Sequence, residues 1–174
     1  GDKIHIRILG LPILGWSSNM KLSSNESGRE LSYLAGINSG DAIGTTATVM
    51  DYDVVQPEST YPSMYSATVA TIPEDGQWNI DASLYTGNVT MTTTQRMVLA
   101  IKSNTIEIDR VYVNGTGVST PYNPRINGTY PLKRGDEITI EAFSSVATTV
   151  SGAVGLSGSK LLIRKSNSGN ATFT

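Results

Sequence analysis

Short runs of alternating apolar and polar residues follow one another along most of the chain. In the clearest run, residues 77–85, Trp78, Ile80, Ala82 and Leu84 alternate with Asn79, Asp81, Ser83 and Tyr85. Because successive side chains of a strand point to opposite sides of a sheet, this spacing predicts one buried face and one polar face. The pattern recurs, and no run of comparable clarity has helical spacing. We therefore expect an all-β protein, either a sandwich or a barrel of antiparallel strands.

Turn residues separate the predicted strands. Residues 73–76 and the pairs Asn114-Gly115 and Asn127-Gly128 are turn signals, because proline presets its backbone angle and glycine accepts a left-handed one. The strands predicted between such signals are 4–9, 45–55, 65–72, 77–85, 96–101, 106–113, 129–132, 137–143 and 159–165. On the order of nine or ten antiparallel strands is typical of a jelly roll.

The length of the chain, 174 residues, is suited to one domain with a sizeable core. Residues 17–44 are polar and interrupted by glycine, and only 29–34 could form a turn of helix. We predict an N-terminal neck or edge segment at 1–44, a jelly-roll head domain at 45–165 and a polar C-terminal tail at 166–174. The start at Gly1 without a methionine is interpreted as that of a fragment from a longer protein.

Composition narrows the classes of partner and of chemistry. The net charge is −2 and the longest basic clusters are two residues, so we expect neither nucleic-acid binding nor insertion into a membrane. The most apolar stretch, 8–16, is interrupted by glycine and proline and is too short to span a bilayer. The absence of cysteine excludes disulfides, thiolate metal sites and cysteine nucleophiles. It also favours a bacterial or viral source.

Four segments, in their order and spacing, resemble a known family. They are Asp51-Tyr52-Asp53, 73–78 (Pro-Glu-Asp-Gly-Gln-Trp), 132–137 (Leu-Lys-Arg-Gly-Asp-Glu) and 156–163 (Leu-Ser-Gly-Ser-Lys-Leu-Leu-Ile). Over residues 45–165 the chain resembles the globular head of complement component one-q and its tumour necrosis factor-like relatives. The resemblance implies a ten-stranded jelly roll that associates as a homotrimer about a three-fold axis. The segment before Thr45 is longer than the family requires and has no counterpart in it.

The sequence does not favour an enzyme. His5 is the only histidine, and its place between Ile4 and Ile6 on an alternating strand favours a solvent-facing or interface position over a catalytic one. One histidine without cysteine cannot form a histidine-rich metal site, and no Gly-x-Ser-x-Gly elbow accompanies it. We therefore expect no catalytic residues and no cofactor.

Asp51 and Asp53 are the weak candidates for a metal site. They lie two residues apart on a predicted strand and so share one face, with Glu58 nearby in sequence. Paired carboxylates contribute to Ca²⁺ sites and also serve glycoside hydrolysis. In the family that the chain resembles, the aspartate-containing strand is structural. We interpret both residues as structural, with calcium binding preferred to catalysis among the alternatives.

Aromatic and polar residues in proline-bearing loops are the best candidates for ligand binding. Aromatic faces stack on sugars, asparagine and arginine bond hydroxyl groups, and rigid loops lower the cost of ordering. Trp78 is instead assigned to the core, and Trp16 is either an anchor of the neck or a sugar platform. For each loop residue the alternative is packing at a loop base or at a subunit interface. The ligand-binding candidates are Trp16, Tyr61, Tyr65, Tyr122, Asn123 and Arg125.

These features favour a receptor-binding domain of a bacteriophage fibre or baseplate protein. The expected domain is a homotrimer on a virion or outside the cell, joined to the rest of a larger fibre protein and bound to a saccharide of the bacterial surface. Trimeric assembly would multiply weak sugar contacts through avidity. One alternative is a structural cap that trimerises a fibre and recognises nothing. The other is a glycan hydrolase that uses Asp51 and Asp53.

Overall fold

The computed structural model describes residues 31–37, 41–150 and 159–166. Within these residues the chain forms fifteen strands and one 3-10 helix, Pro62–Met64, which confirms the all-β prediction. The strands are β1 (Ser32–Gly36), β2 (Ala42–Ile43), β3 (Thr48–Val49), β4 (Val54–Val55), β5 (Tyr65–Ser66), β6 (Val69–Thr71), β7 (Gly76–Ser83), β8 (Val89–Thr90), β9 (Arg96–Ser103), β10 (Ile106–Asn114), β11 (Ser119–Thr120), β12 (Arg125–Leu132), β13 (Glu137–Ser144), β14 (Thr148–Thr149) and β15 (Lys160–Lys165).

The long strands form two antiparallel sheets. Sheet 1 has the order β12-β7-β15-β1-β4, and sheet 2 has the order β10-β9-β13-β6-β5 with β3 also paired to β13. Two further pairs are β11 with β8 and β14 with β2. Neighbours within each sheet are mostly distant in sequence, because the chain crosses repeatedly from one sheet to the other. This arrangement is a jelly-roll sandwich, as predicted.

The two sheets enclose one hydrophobic core. Trp78 is fully buried in it, and the indole N–H donates to the carbonyl of Glu74 at 3.2 Å, so its predicted packing role is confirmed. Burial of large apolar side chains such as this one provides most of the favourable free energy of folding. Core residues from sheet 1 are Tyr33, Ala35, Trp78, Ile80, Ala82, Ile126, Leu161 and Ile163, and those from sheet 2 are Ala70, Leu99, Ile101, Ile138, Ile140 and Ala142.

The sandwich begins earlier than the predicted boundary at residue 45. Strand β1 lies inside sheet 1 between β15 and β4, and Tyr33 and Ala35 are fully buried. Its register runs from Ser32 opposite Arg164 to Gly36 opposite Lys160. The proposed helical turn at 29–34 is therefore wrong from Ser32 onward. The partner of β1 comes from the other end of the chain, which the local pattern around β1 does not reveal.

One predicted strand and one predicted turn differ from the structure. The segment predicted as one strand, 65–72, is a hairpin of β5 and β6, with Ala67 and Thr68 at φ 48° and 73° in its turn. The predicted turn Asn127-Gly128 instead lies within β12, where Gly128 is opposite Ile80. A Cβ on Gly128 would lie 2.2 Å from the Tyr130 hydroxyl oxygen, so close packing accounts for this glycine.

Candidate functional site

The two proline-bearing loops lie at opposite ends of sheet 1. The backbone N–H of Tyr61 donates to the carbonyl of Ser32 at 2.9 Å. Across sheet 1, Arg125 is opposite Ser83, Ser83 is opposite Lys160, and Lys160 is opposite Gly36. Gly36 is at the other end of β1 from Ser32. Four residues of extended strand separate Ser32 from Gly36, about 13 Å. The predicted loop residues therefore do not form one site, although Tyr61, at 36% exposure, and Asn123 are accessible separately.

Tyr122 is a core residue, and the structure contradicts its prediction as a ligand-binding residue. Only 3% of it is exposed, because it packs in a second hydrophobic cluster with Val89, Met91 and Met97. Its hydroxyl accepts a hydrogen bond from the backbone N–H of Thr116 at 3.1 Å. The ring is consequently unavailable for stacking on a sugar.

Tyr65 is committed to a cluster of tyrosines at the edge of the core. Its ring stacks on Tyr33 with a centroid distance of 4.9 Å, and its hydroxyl accepts the backbone N–H of Tyr52 at 2.8 Å and donates to the carbonyl of Met50 at 3.2 Å. Burial raises the pKa of Tyr65 above its ordinary value. These contacts make a structural role the better interpretation of Tyr65.

Arg125 is held by a buried carboxylate on the outer side of sheet 1. Its Nε and Nη2 donate to the two oxygens of Asp81, both at 2.8 Å, and Lys160 Nζ lies 2.9 Å from Asp81 Oδ2. The side chain of Asp81 is 5% exposed and that of Arg125 is 54% exposed. Burial alone would raise the pKa of Asp81, but the two cations outweigh it and lower that pKa. Arg125 thus has a structural partner, contrary to its assignment to a loop site.

Within the described residues, Asp51 and Asp53 are not part of a group of metal-ligating side chains. The described residues contain no group of three or more histidine, cysteine, aspartate or glutamate side chains able to hold a metal ion. Burial raises the pKa of Asp51, and the negative charge of Asp53 raises it further. Burial and a neighbouring negative charge therefore both disfavour the ionised form of Asp51. Trp16 and His5 lie outside the described residues.

The outer face of sheet 2 carries an exposed aromatic surface. Tyr112 on β10 is opposite Val98 on β9, and Val98 is in turn opposite Phe143 on β13. Directly opposite residues point to the same side of a sheet, so the three side chains form one row across three strands, roughly 10 Å at the usual strand spacing. Tyr112 is 58% exposed, whereas Val98 and Phe143 are half-buried.

Polar groups border this row. Arg96 lies opposite Asn114, two residues along the same strands from Val98 and Tyr112, and both Arg96 and Asn114 are exposed. The guanidinium carbon of Arg96 is 6.0 Å from the centroid of the Tyr112 ring, at the outer limit of a cation–π contact. We call the surface formed by Arg96, Val98, Tyr112, Asn114 and Phe143 the Tyr112 face. It combines an aromatic ring with hydrogen-bond donors and a positive charge.

The Tyr112 face was not predicted from the sequence. The run 106–113 was predicted as a strand, but strict alternation groups Tyr112 with Ile106 and does not show which side is exposed. The register of β10 shifts between Glu107 and Asp109, so the inward and outward sets change along the strand. The sequence signal for this surface was the alternation of Arg110 and Tyr112 with Val111 and Val113, which groups Tyr112 with a charged residue.

The fold and this surface define a jelly-roll domain with an exposed, cation-bordered aromatic face. No protein-family model matches the chain, and comparison with curated proteins also finds no match. Among solved structures, the chain is similar to murine APRIL, from its crystal structure at pH 5.0, with a TM-score of 0.54 and 12% identity over 79% of this chain and 100% of the APRIL chain. APRIL is a tumour necrosis factor-family jelly roll, so the similarity shows a fold of that type.

The described residues hold no helix with the length and apolarity of a membrane span.

Proposed function

We propose that this chain is a non-enzymatic, homotrimeric binding domain that attaches a bacteriophage fibre or baseplate to a saccharide of the bacterial surface. The observation that carries the proposal is the Tyr112 face, where a tyrosine ring is 58% exposed beside Phe143, Arg96 and Asn114. An exposed aromatic row costs hydration free energy in the unbound protein and provides a flat apolar surface for the ring of a sugar.

The trimer and the phage context have separate support. The chain resembles trimeric jelly rolls of the tumour necrosis factor type, and it is similar in fold to APRIL. The cysteine-free composition is typical of a bacterial or viral protein. A trimer would present three copies of the Tyr112 face, so that modest affinity at each copy gives strong attachment.

The assembly is tested by light scattering coupled to size-exclusion chromatography. We expect a species of about three times the 18.5 kDa chain mass at micromolar concentration. A monodisperse monomer would contradict the trimer.

Recognition is tested by binding of the purified protein to bacterial envelope preparations, with Tyr112→Ala as the test variant. Loss of the ring should weaken binding about tenfold, because an aromatic contact and its buried area contribute on the order of 1.5 kcal/mol. Ile106→Ala is the matched control, since Ile106 is also on β10 and is 69% exposed. A trimer that binds no envelope preparation would favour the alternative of a structural cap.

A further inference from the structure

The charges around the Tyr112 face are not equivalent. Lys102 Nζ pairs with Glu141 Oε1 at 2.7 Å, and Arg110 pairs with Glu107 at 2.5 Å. In the described part of the chain, Arg96 has no carboxylate within ion-pair distance, and its guanidinium lies over the Tyr112 ring. Among the described residues, one positive charge beside the aromatic row therefore has no carboxylate as a local counter-charge, although the chain as a whole has a net charge of −2.

The backbone holds Arg96 in place at the end of the sheet. The N–H of Arg96 donates to the Ser145 hydroxyl oxygen at 3.0 Å, and the N–H of Ser145 donates to the Arg96 carbonyl at 2.9 Å. This reciprocal pair joins the start of β9 to the end of β13 next to Phe143. A cation on a fixed backbone loses less conformational freedom when it binds a ligand, which favours a specific contact.

We propose that the Tyr112 face binds an acidic saccharide, whose sugar ring packs on the row formed by Tyr112, Val98 and Phe143 and whose carboxylate pairs with Arg96. A guanidinium presents two parallel N–H groups to a carboxylate, which gives a bidentate and charge-assisted contact. Asn114, opposite Arg96, provides amide donors and an acceptor for neighbouring hydroxyl groups. The inference rests on the proposed saccharide-binding function and specifies its ligand as a uronic acid-type sugar.

Charge complementarity favours an acidic saccharide as the ligand of the Tyr112 face. A neutral sugar would use the aromatic row but would leave Arg96 unpaired next to it. A second copy of the chain would bring two positively charged faces together if it bound through the same surface. A carboxylate at Arg96 satisfies the cation, while the apolar row accommodates the ring to which that carboxylate is attached.

The test compares acidic saccharides with uncharged forms of the same rings. Tetramers of galacturonate, glucuronate and mannuronate are titrated into the full-length protein by calorimetry, each beside its methyl ester. We expect at least one acidic tetramer to bind about tenfold more tightly than its ester, as for a hydrogen bond to a charged group. The preference should decrease between 50 and 500 mM salt, because the contact is at the surface.

Variants distinguish the role of Arg96 from that of the aromatic row. Arg96→Gln should abolish the preference for the acid, Arg96→Lys should restore part of it, and Tyr112→Ala should weaken the binding of acid and ester alike. Arg110→Gln on the neighbouring strand should leave the preference unchanged. Thermal unfolding of each variant establishes that it is folded.

Three outcomes overturn the inference. If acid and ester bind equally through Tyr112, or if Arg96→Gln retains the preference, saccharide binding stands but acidic recognition at Arg96 is wrong. If no acidic tetramer binds while envelope binding still depends on Tyr112, the proposed function also stands and the ligand is of another class. By contrast, if no binding to saccharide or envelope depends on Tyr112, the proposed function itself is wrong.

Discussion

Asp81 shows how one side chain on an outward-facing position becomes a buried structural group. Its neighbours Ile80 and Ala82 point into the core, so alternation directs Asp81 to the opposite side. There, Arg125 from β12 and Lys160 from β15 cover it and donate three charge-assisted contacts at 2.8 to 2.9 Å. The cluster connects three neighbouring strands of sheet 1, so its contribution should be measurable as stability.

Asp81→Asn is expected to lower the free energy of unfolding at pH 7 by about 1–3 kcal/mol, because it leaves two cations without their counter-charge. The folded-state pKa of Asp81 is lowered, so its contribution is present above the unfolded pKa and is lost as pH falls through the folded value. Urea unfolding from pH 7 down to pH 2 should therefore show a smaller acid-dependent loss for the variant.

The matched control for this measurement is Asp75→Asn, on an exposed aspartate outside the ion cluster. Asp136, whose pKa is lowered mainly by the backbone N–H of Lys133, is retained in both variants, so its acid response cancels in the comparison. Equal pH profiles for the wild type and Asp81→Asn would contradict a stabilising role for the cluster.

At the scale of elements, the hairpins of sheet 2 differ in how well their turn residues suit them. In the β9–β10 turn, Asn104 and Thr105 have φ 50° and 72°, and Asn104 Nδ2 also donates to Asp136 at 2.8 Å. Asparagine is the residue favoured at the first of these positions. In the β5–β6 turn the corresponding residues are Ala67 and Thr68, which are poorly suited to positive φ. The second hairpin therefore contains backbone strain that substitution can relieve.

The double change Ala67→Asn and Thr68→Gly should stabilise the protein by about 1 kcal/mol, since both new residues accept a left-handed backbone. Thermal unfolding should give a higher Tm than the wild type. As a control in the opposite sense, Gly135→Ala introduces a Cβ at φ 89°, where no atom lies within 4 Å, and should lower the Tm through backbone strain alone. A lower Tm for the double change would exclude strain at this turn.

At the scale of the whole molecule, β1 completes sheet 1 and the core. It pairs with β15 over five residues and with β4 on its other side, and its Tyr33 hydroxyl donates to the Tyr52 carbonyl at 2.5 Å. Without β1, the edge of β15 and the apolar surface beneath Tyr33 would be exposed to water. Residues 32–36 therefore belong to the same sandwich as the predicted head domain.

A chain that begins at residue 45 is consequently expected to lose cooperative thermal unfolding, whereas the full chain should unfold in one transition. Unfolding is followed by circular dichroism at 218 nm, which reports sheet content. The near-ultraviolet signal of Trp78 is followed in parallel. In the full chain, Tyr33→Ala should lower the free energy of unfolding by about 3–5 kcal/mol, as for other large-to-small core changes. Full stability of the shortened chain would show that β1 is dispensable.

How much of the site could be predicted depends on which side of each strand faces the core. The sequence pattern predicts aromatic binding residues in loops, but Tyr122 is buried in a second cluster with Met91 and Met97, and Tyr65 is stacked on Tyr33. The row formed by Tyr112, Val98 and Phe143, in which the Tyr112 ring is exposed, instead crosses β9, β10 and β13. Its three members are separated in sequence and come together only through strand pairing.

The sequence by itself determined the all-β class, the burial of Trp78 and the exclusion of cysteine chemistry, because alternation and composition are local properties of the chain. Only the tertiary structure decided that β1 belongs to sheet 1, that Gly128 lies within a strand, and that Arg96 lies beside Tyr112. Those features depend on pairing between distant strands and on a register shift in β10. A period of two residues encodes which side chains share a face, but not which strand lies next to it or which face meets water.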